Sequence, residues 1–402
     1  MLTPQEALEL VIGTALSLPP CAVALEQADG LAAAEDVVSP GDCPSFARAM
    51  MDGFAVRLAD AGATVRLAGQ LPAGAIWDGE LVAGRCVEIL TGAACPPGTD
   101  AVVPKEQADR GDRGVAVPCS IKPGQNIAPP GSDCRRGQRV VAAGETLTGM
   151  AVAALASFGL QSVRVTPRPS LAIIATGGEL ASPGQPLRLG QIHDSNGPML
   201  RAMARQQGVS KVRVWQAADR LDAITAALDE ASELDIVVLS GGVSVGAYDL
   251  VPEALARHGT ETVFHGVKQK PGKPLLFARK ERRLFFGLPG NPLACHLGFH
   301  RYVAAAARKM SGRPAWPQPF QGQLTAAIES KGGRTHFLPG RAEPAADPPA
   351  GWRVEVLGGA SSADIFRGCR ANCYVELPPA ARTCQAGDIC SFTWLLPGPW
   401  SP

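Results

Sequence analysis

Between residues 168 and 310, four short β-rich apolar runs (LAIIAT, VRVWQ, DIVVLS and LFFGL) alternate with helix-period stretches near 197–207, 220–231, 250–258 and 292–310. No other feature constrains the fold as strongly. Parallel strands need long crossover connections, usually helices, and strands covered on both faces are apolar throughout. The alternation therefore predicts an open, mainly parallel sheet between two helical layers, a three-layer α/β domain. Ligands of such folds sit beyond the carboxyl ends of the strands. Here those ends carry TGGEL, AADR, SGGVSVGAYD and LPGNP, four polar or glycine-rich loops at equivalent positions.

In the third loop, Gly241, Gly242 and Gly246 leave backbone N–H groups unobstructed and permit positive φ, which suits a nest for a phosphate or oxyanion. The loop has neither the Gly-Lys-Ser/Thr ending of a P-loop nor a G-x-G-x-x-G fingerprint. Its missing cations lie on another segment, KQKPGKP, as Lys268, Lys270 and Lys273. Asp249 has two readings: a helix-start acid favoured by the helix dipole, or an acid facing the ligand through Mg²⁺. In LPGNP, Asn291 can cap and Pro292 can take the first helical position, so that helix start points at the same region. Glu179 and Asp219 add acids to the rim, as metal ligands or proton acceptors.

The flanking segments differ in texture. Thr3, Pro4 and Glu6 spell a capping box, and Leu8, Val11, Ile12 and Ala15 give one apolar helix face. From about 40 to 140, short apolar runs punctuated by Gly and Pro predict a small β-domain. Residues 144–158 return to helical periodicity, with Gly159 as C-cap. This second helix is expected beside the first, with the β-domain inserted between them. WRVEVL, CYVELP and ICSFTWLL follow a Pro/Gly/Gln-rich stretch and predict a last β-domain. The expected layout is a split helical domain (1–43 with 135–168), an inserted β-domain (44–134), the central α/β domain (169–313) and a C-terminal β-domain (314–402).

Charge and cysteine usage narrow the function classes. With 38 basic and 37 acidic side chains in 402 residues, the basic excess typical of phosphate-backbone binders is missing, which argues against a nucleic-acid partner. The N-terminus lacks a basic n-region, and no apolar run approaches a bilayer span, so no membrane association is expected. Eleven cysteines without zinc-type spacing suggest reduced thiols and a cytoplasmic location. G-x-S-x-G and H-E-x-x-H are absent, and His296 and His300, four apart on one helix, are expected in core or surface roles.

Seven motifs occur in order: AMMDGFAV (49–56), EILTGAACPPGTDAVV (88–103), TGGEL (176–180), HDSN (193–196), SGGVSVG (240–246), KPGKP (270–274) and GLPGNP (287–292). The set resembles the molybdopterin molybdenumtransferase family, which includes the C-terminal domain of gephyrin. The resemblance implies a homodimer and Mg²⁺-dependent insertion of molybdate into adenylated molybdopterin, with release of AMP. It also implies encounters with the molybdopterin adenylyltransferase and with molybdoenzyme acceptors.

By motif match, Asp249, Asp219 and Glu179 would serve the metal and hydrolysis centre. Gly241, Gly242, Ser244, Lys270, Lys273 and Pro274 would hold substrate, and Pro289 and Pro292 would fix the loop at the helix start. Asp52, Thr91 and Asp133 would reach in from the second subunit, and Ser361 or Ser362 from the C-terminal domain. Three positions depart from the family pattern: Ala128 and Pro339 stand where it has Arg, the latter with Arg341 nearby as a substitute, and Ala294 where it has Ser. The departures favour a non-catalytic carrier or scaffold, whereas the retained acids favour catalysis.

Overall fold

The computed structural model describes residues 1–243, 250–330, 332–345, 351–358, 361, 363–380 and 382–395. Ser244, Asp249 and Ser362 lie outside the described residues.

The central sheet has the order Lys211–Ala217, Ser170–Thr176, Ile236–Ser240, Arg283–Leu288, Leu276–Lys280, Glu261–His265. The first four strands are mutually parallel, Leu276–Lys280 runs antiparallel to them, and Glu261–His265 runs antiparallel to Leu276–Lys280. Strand Ile236–Ser240 is buried along its whole length, which explains its unbroken apolar run. Alternate side chains feed two cores. Ile174, Leu239 and Phe285 meet the helices Leu221–Glu230 and Val251–Arg257. Ile173, Val238 and Phe286 meet Asn196–Gln206 and the long segment Pro292–Met310. The predicted three layers are present.

The first helix, Pro4–Thr14, forms as expected, with Glu6 N donating to Thr3 Oγ1 at 3.2 Å and Thr3 N donating to Glu6 Oε2 at 2.8 Å. Its neighbour is not the one expected. Ala7, Leu8 and Val11 share a core with Val303, Ala306 and Met310 of the central domain. The run Ala304–Ala307 offers a face without bulk, on which a second helix can lie close. The other candidate, Gly149–Ser157, buries only Leu155 and packs it with Leu147, Val163 and Val165. The split domain is also less helical than expected. Strands Cys21–Ala24, Ser162–Thr166 and Ala32–Ala33 form a three-stranded sheet, and Val37–Val38 pairs with Arg139–Val141. An apolar period that fits a helix face says nothing about which surface covers it.

The chain enters and leaves the inserted segment through paired backbones: Cys43 N donates to Cys134 O (2.7 Å) and Cys134 N to Cys43 O (3.0 Å). Beyond this gate lies a six-stranded mixed sheet ordered Ala101–Pro104, Gly53–Val56, Arg85–Ile89, Thr64–Leu71, Gly114–Ala116, Asp109–Gly111. The C-terminal segment and the short strand Gln269–Lys270 form a third six-stranded sheet, its core built on Val354, Val375 and Phe392. Among the described residues no helix is long and apolar enough to cross a membrane.

Candidate active site

The central strand order reverses direction between Ser170–Thr176 and Ile236–Ser240, the position where open α/β sheets leave a crevice. A cleft of about 940 Å³ opens there, walled by Thr176, Gly177, Ser240, Gly241, Gly242 and Gly290. The loops touch closely. Gly241 has φ 101°, and a Cβ there would lie 2.6 Å from Thr176 O, so only glycine lets the third loop cross the first. Thr176 Oγ1 donates to Ser240 O at 3.2 Å, and Gly241 N donates to Leu288 O at 3.0 Å, which ties neighbouring strand ends together.

Asn196 is the central clasp. Buried at the start of its helix, it donates from Nδ2 to Ser240 Oγ at 2.8 Å and to Gly290 O at 2.7 Å, joining the third loop to the fourth. Asp194 Oδ1 accepts from Gly197 N at 2.9 Å and turns that helix start toward the cleft. The motif HDSN contains both residues, yet sequence reasoning gave neither a role. Only contacts across about 44 and 94 positions of sequence reveal the clasp.

Of the predicted site residues, Glu179, Asp219, Gly241, Gly242, Pro274, Pro289 and Pro292 line this one cleft. Asp219 Oδ2 accepts from Gly178 N at 3.1 Å, holding the two acid-bearing loops in register. The Glu179 carboxylate is exposed and makes no hydrogen bond among the described residues. Lys270 and Lys273 stand exposed on the turn that ends in Pro274, at the rim and not in the wall. That turn is anchored from below, where Tyr302 Oη donates to the buried Gln269 Oε1 at 2.6 Å. Ser361 is exposed and accepts from Ala363 N at 3.3 Å, and Ala363, Ile365 and Phe366 beside it close the cleft's far side. Arg341 is engaged elsewhere, with Nε donating to Glu343 at 2.8 Å, and lines neither this cleft nor its annex.

The annex is a smaller apolar cavity of about 280 Å³ that shares Ser195, Pro292 and Ile365 with the cleft. Pro339 and Tyr374 form part of its wall, and His296 Nδ1 lies 3.0 Å from Tyr374 Oη. His296 and His300 stack at this seam between the central and C-terminal sheets. Burial holds them largely neutral, pushing His296 down to about 4 and His300 to about 3. They are core groups, as expected. Cys295, against Ser240, is buried and pushed up to about 12, which leaves the thiol inert.

The remaining predicted residues gather on the inserted domain. Thr91 and Asp133 line a separate pocket of about 510 Å³ with Arg48, Ala128 and Ser132. Asp52 Oδ1 accepts from both Thr91 N (2.8 Å) and Thr91 Oγ1 (2.6 Å), and these bonds hold its carboxyl below the usual range. Arg48 pairs with Asp133 at 2.8 Å. Within one chain this cluster shares no lining residue with the central cleft.

Fold and cleft together define a doubly wound α/β scaffold that carries glycine loops and acids at its switch point. Residues 2–159 match the MoeA N-terminal region (domain I and II), 172–309 the probable molybdopterin binding domain, and 321–395 the MoeA C-terminal region (domain IV). The chain is 33% identical over 392 residues to a molybdopterin molybdenumtransferase of Staphylococcus aureus, covering 95% of this chain and 93% of the relative. The Staphylococcus epidermidis enzyme is 32% identical over 394 residues, covering 96% and 93%. Among solved structures, the molybdopterin biosynthesis MoeA protein of Pyrococcus horikoshii superposes with a TM-score of 0.85 at 28% identity, covering 98% of this chain and 99% of that one. The chain belongs to the molybdopterin molybdenumtransferase family.

Proposed function

We propose that this enzyme of molybdenum cofactor biosynthesis inserts molybdate into adenylated molybdopterin in a Mg²⁺-dependent reaction that releases AMP. The observation that carries the reading is the convergence of two glycine loops and two carboxylates, Glu179 and Asp219, on one switch-point cleft. Gly241 and Gly242 present backbone to a phosphate, and the lysines at the rim supply positive charge as the substrate enters.

The donor set fits Mg²⁺, an ion usually held by one or two carboxylates together with substrate phosphates and water. Glu179 has both oxygens available, and Asp219 keeps Oδ1 free while Gly178 holds Oδ2. No group of three or more His, Cys, Asp or Glu side chains suited to a metal occurs among the described residues, and Asp249, the third acid of the motif match, lies outside them. Bound there, Mg²⁺ would neutralise the pyrophosphate charge. The chain's own part is to orient the pyrophosphate against the glycine loops, to accept a proton from attacking water at a free carboxylate oxygen, and to keep the ring in the drier annex.

The reading extends to a homodimer in which the insert of one copy, with Asp52, Thr91 and Asp133, completes the central cleft of the other. It also places the enzyme in the cytoplasm, between a molybdopterin adenylyltransferase and molybdoenzyme acceptors.

A second reading, a molybdopterin carrier or scaffold, draws on the departures. Ala294 is buried beneath the lysine turn, where a Cβ on Gly272 would lie 3.9 Å from Ala294 Cβ, and it brings no hydroxyl there. Pro339 brings no donor to the annex wall. One assay separates the two readings. Purified protein with adenylated molybdopterin, molybdate and Mg²⁺ should release AMP and yield metallated cofactor in step. Tight substrate binding without AMP release would establish the carrier instead.

A further inference from the structure

A further cavity, of about 370 Å³, shares no lining residue with the cleft. It lies where the end of the helix Ala304–Met310 and the loop after it meet the C-terminal strands Phe320–Leu324 and Ile389–Trp394. Two guanidinium groups face it, Arg308 and Arg313, and neither forms an ion pair among the described residues. Arg308 donates to Gln207 Oε1 (3.1 Å) and Ala315 O (3.2 Å), and Arg313 donates to Gln207 O (2.7 Å). All three acceptors are neutral, and most of the N–H donors of the two groups remain unused.

The two charges are close enough to repel, and Arg168 adds a third positive charge behind Arg313. Burial and this repulsion push Arg308 down to about 10. No carboxylate lines the cavity among the described residues. Sheltered like charges without a counter-ion are costly, and an anion removes that cost. Flat rings line the same cavity. Trp394 is fixed edge-on by Phe320 and Trp352, whereas Trp316 is 47% exposed and pairs with no other ring among the described residues.

We propose that this cavity is a second binding site, for a small organic anion that joins a phosphate or carboxylate to a flat ring. The anionic group sits between Arg308 and Arg313, and the ring lies against Trp316. The site does not rest on the reaction proposed for the cleft.

AMP is a suitable probe, since it couples one phosphate to one flat ring. The full chain would be titrated with AMP, inorganic phosphate and adenosine while tryptophan fluorescence is followed, with Trp316→Phe defining the signal that belongs to Trp316. A saturable Trp316 response to AMP, a weaker one to phosphate and none to adenosine is expected. Arg313→Gln should weaken AMP at least tenfold and Arg313→Lys less, while Glu179→Gln in the cleft should leave this response unchanged. Absence of a saturable response, or one that survives Arg313→Gln, would overturn the proposal. Should Arg313→Gln not fold, the exposed Trp316→Ala must remove one AMP binding step in calorimetry, and its persistence overturns the site equally.

Discussion

The central cleft and the pocket of the inserted domain both carry acids, but they hold them by opposite means. In the insert, Asp52 is bound twice by Thr91 and Asp133 is paired with Arg48, so the carboxylates are committed to neighbours within their own domain. In the cleft, among the described residues, Glu179 has no hydrogen-bond partner and Asp219 a single backbone N–H. Committed acids keep one orientation and suit positioning. Uncommitted acids can take up a cation or a proton. On this difference we propose chemistry in the cleft and alignment in the insert, and each half of that division can be broken separately.

The largest effect belongs to the cleft. Glu179→Gln and Asp219→Asn should each lower AMP release by about a hundredfold or more, the scale of a lost acid–base or charge-stabilising group. Asn at 219 still offers an oxygen to Gly178 N, and residue 179 is exposed, so thermal unfolding should not move. A matching loss of melting temperature would show these acids to be structural. Next is the scaffold beneath them. Gly241→Ala places a Cβ 2.6 Å from Thr176 O at φ 101° and should cost about 1–3 kcal/mol of stability, read as a lower unfolding midpoint in urea.

On the insert side, Thr91→Val removes the 2.6 Å bond to Asp52 and leaves the backbone bond in place. Water competes for so exposed a carboxylate, so losing this bond should lower turnover only severalfold, through looser orientation of Asp52. Binding of adenylated molybdopterin should change less than turnover. An equal loss in both would make the insert a binding surface and blur the contrast.

The smallest effect is a pH slope. His296 and His300 are held neutral by burial, with His300 further disfavoured by His296, Arg308 and Arg301, so the unfolded chain binds more protons below about pH 6.5. Their folded values are depressed, so the contribution they make to stability is full above the unfolded value. It is lost as pH falls through the window from about 6.5 toward about 4 and 3. The melting temperature should drop between pH 7 and 5, and His300→Leu should flatten that slope without changing the pH profile of turnover.

Much of the cleft was legible in the sequence, for a simple reason. Carboxyl ends of parallel strands all face one way, so loops that follow DIVVL, LAIIAT and LFFGL must converge whatever the details of packing. The capping box of Thr3 and Glu6 was legible because caps are local. The partner of that helix was not, since an apolar stripe fits any surface of similar shape. Nor was the clasp made by Asn196, whose two acceptors lie far away in sequence. Motif matching assigned Asp52, Thr91 and Asp133 to the second subunit, and within one chain Thr91 and Asp133 line a pocket separate from the cleft.

That separation is the central claim: chemistry in one copy's cleft is completed by the other copy's insert. Mixing two inactive variants tests it most directly. Asp219→Asn and Asp52→Asn, each purified and then exchanged into mixed dimers, leave one cleft in every mixed dimer with both parts intact. Random exchange should restore about a quarter of wild-type AMP release, the share of sites assembled from two intact halves. Mixed dimers that form and stay inactive would contradict the account, and would place all of the chemistry within a single chain.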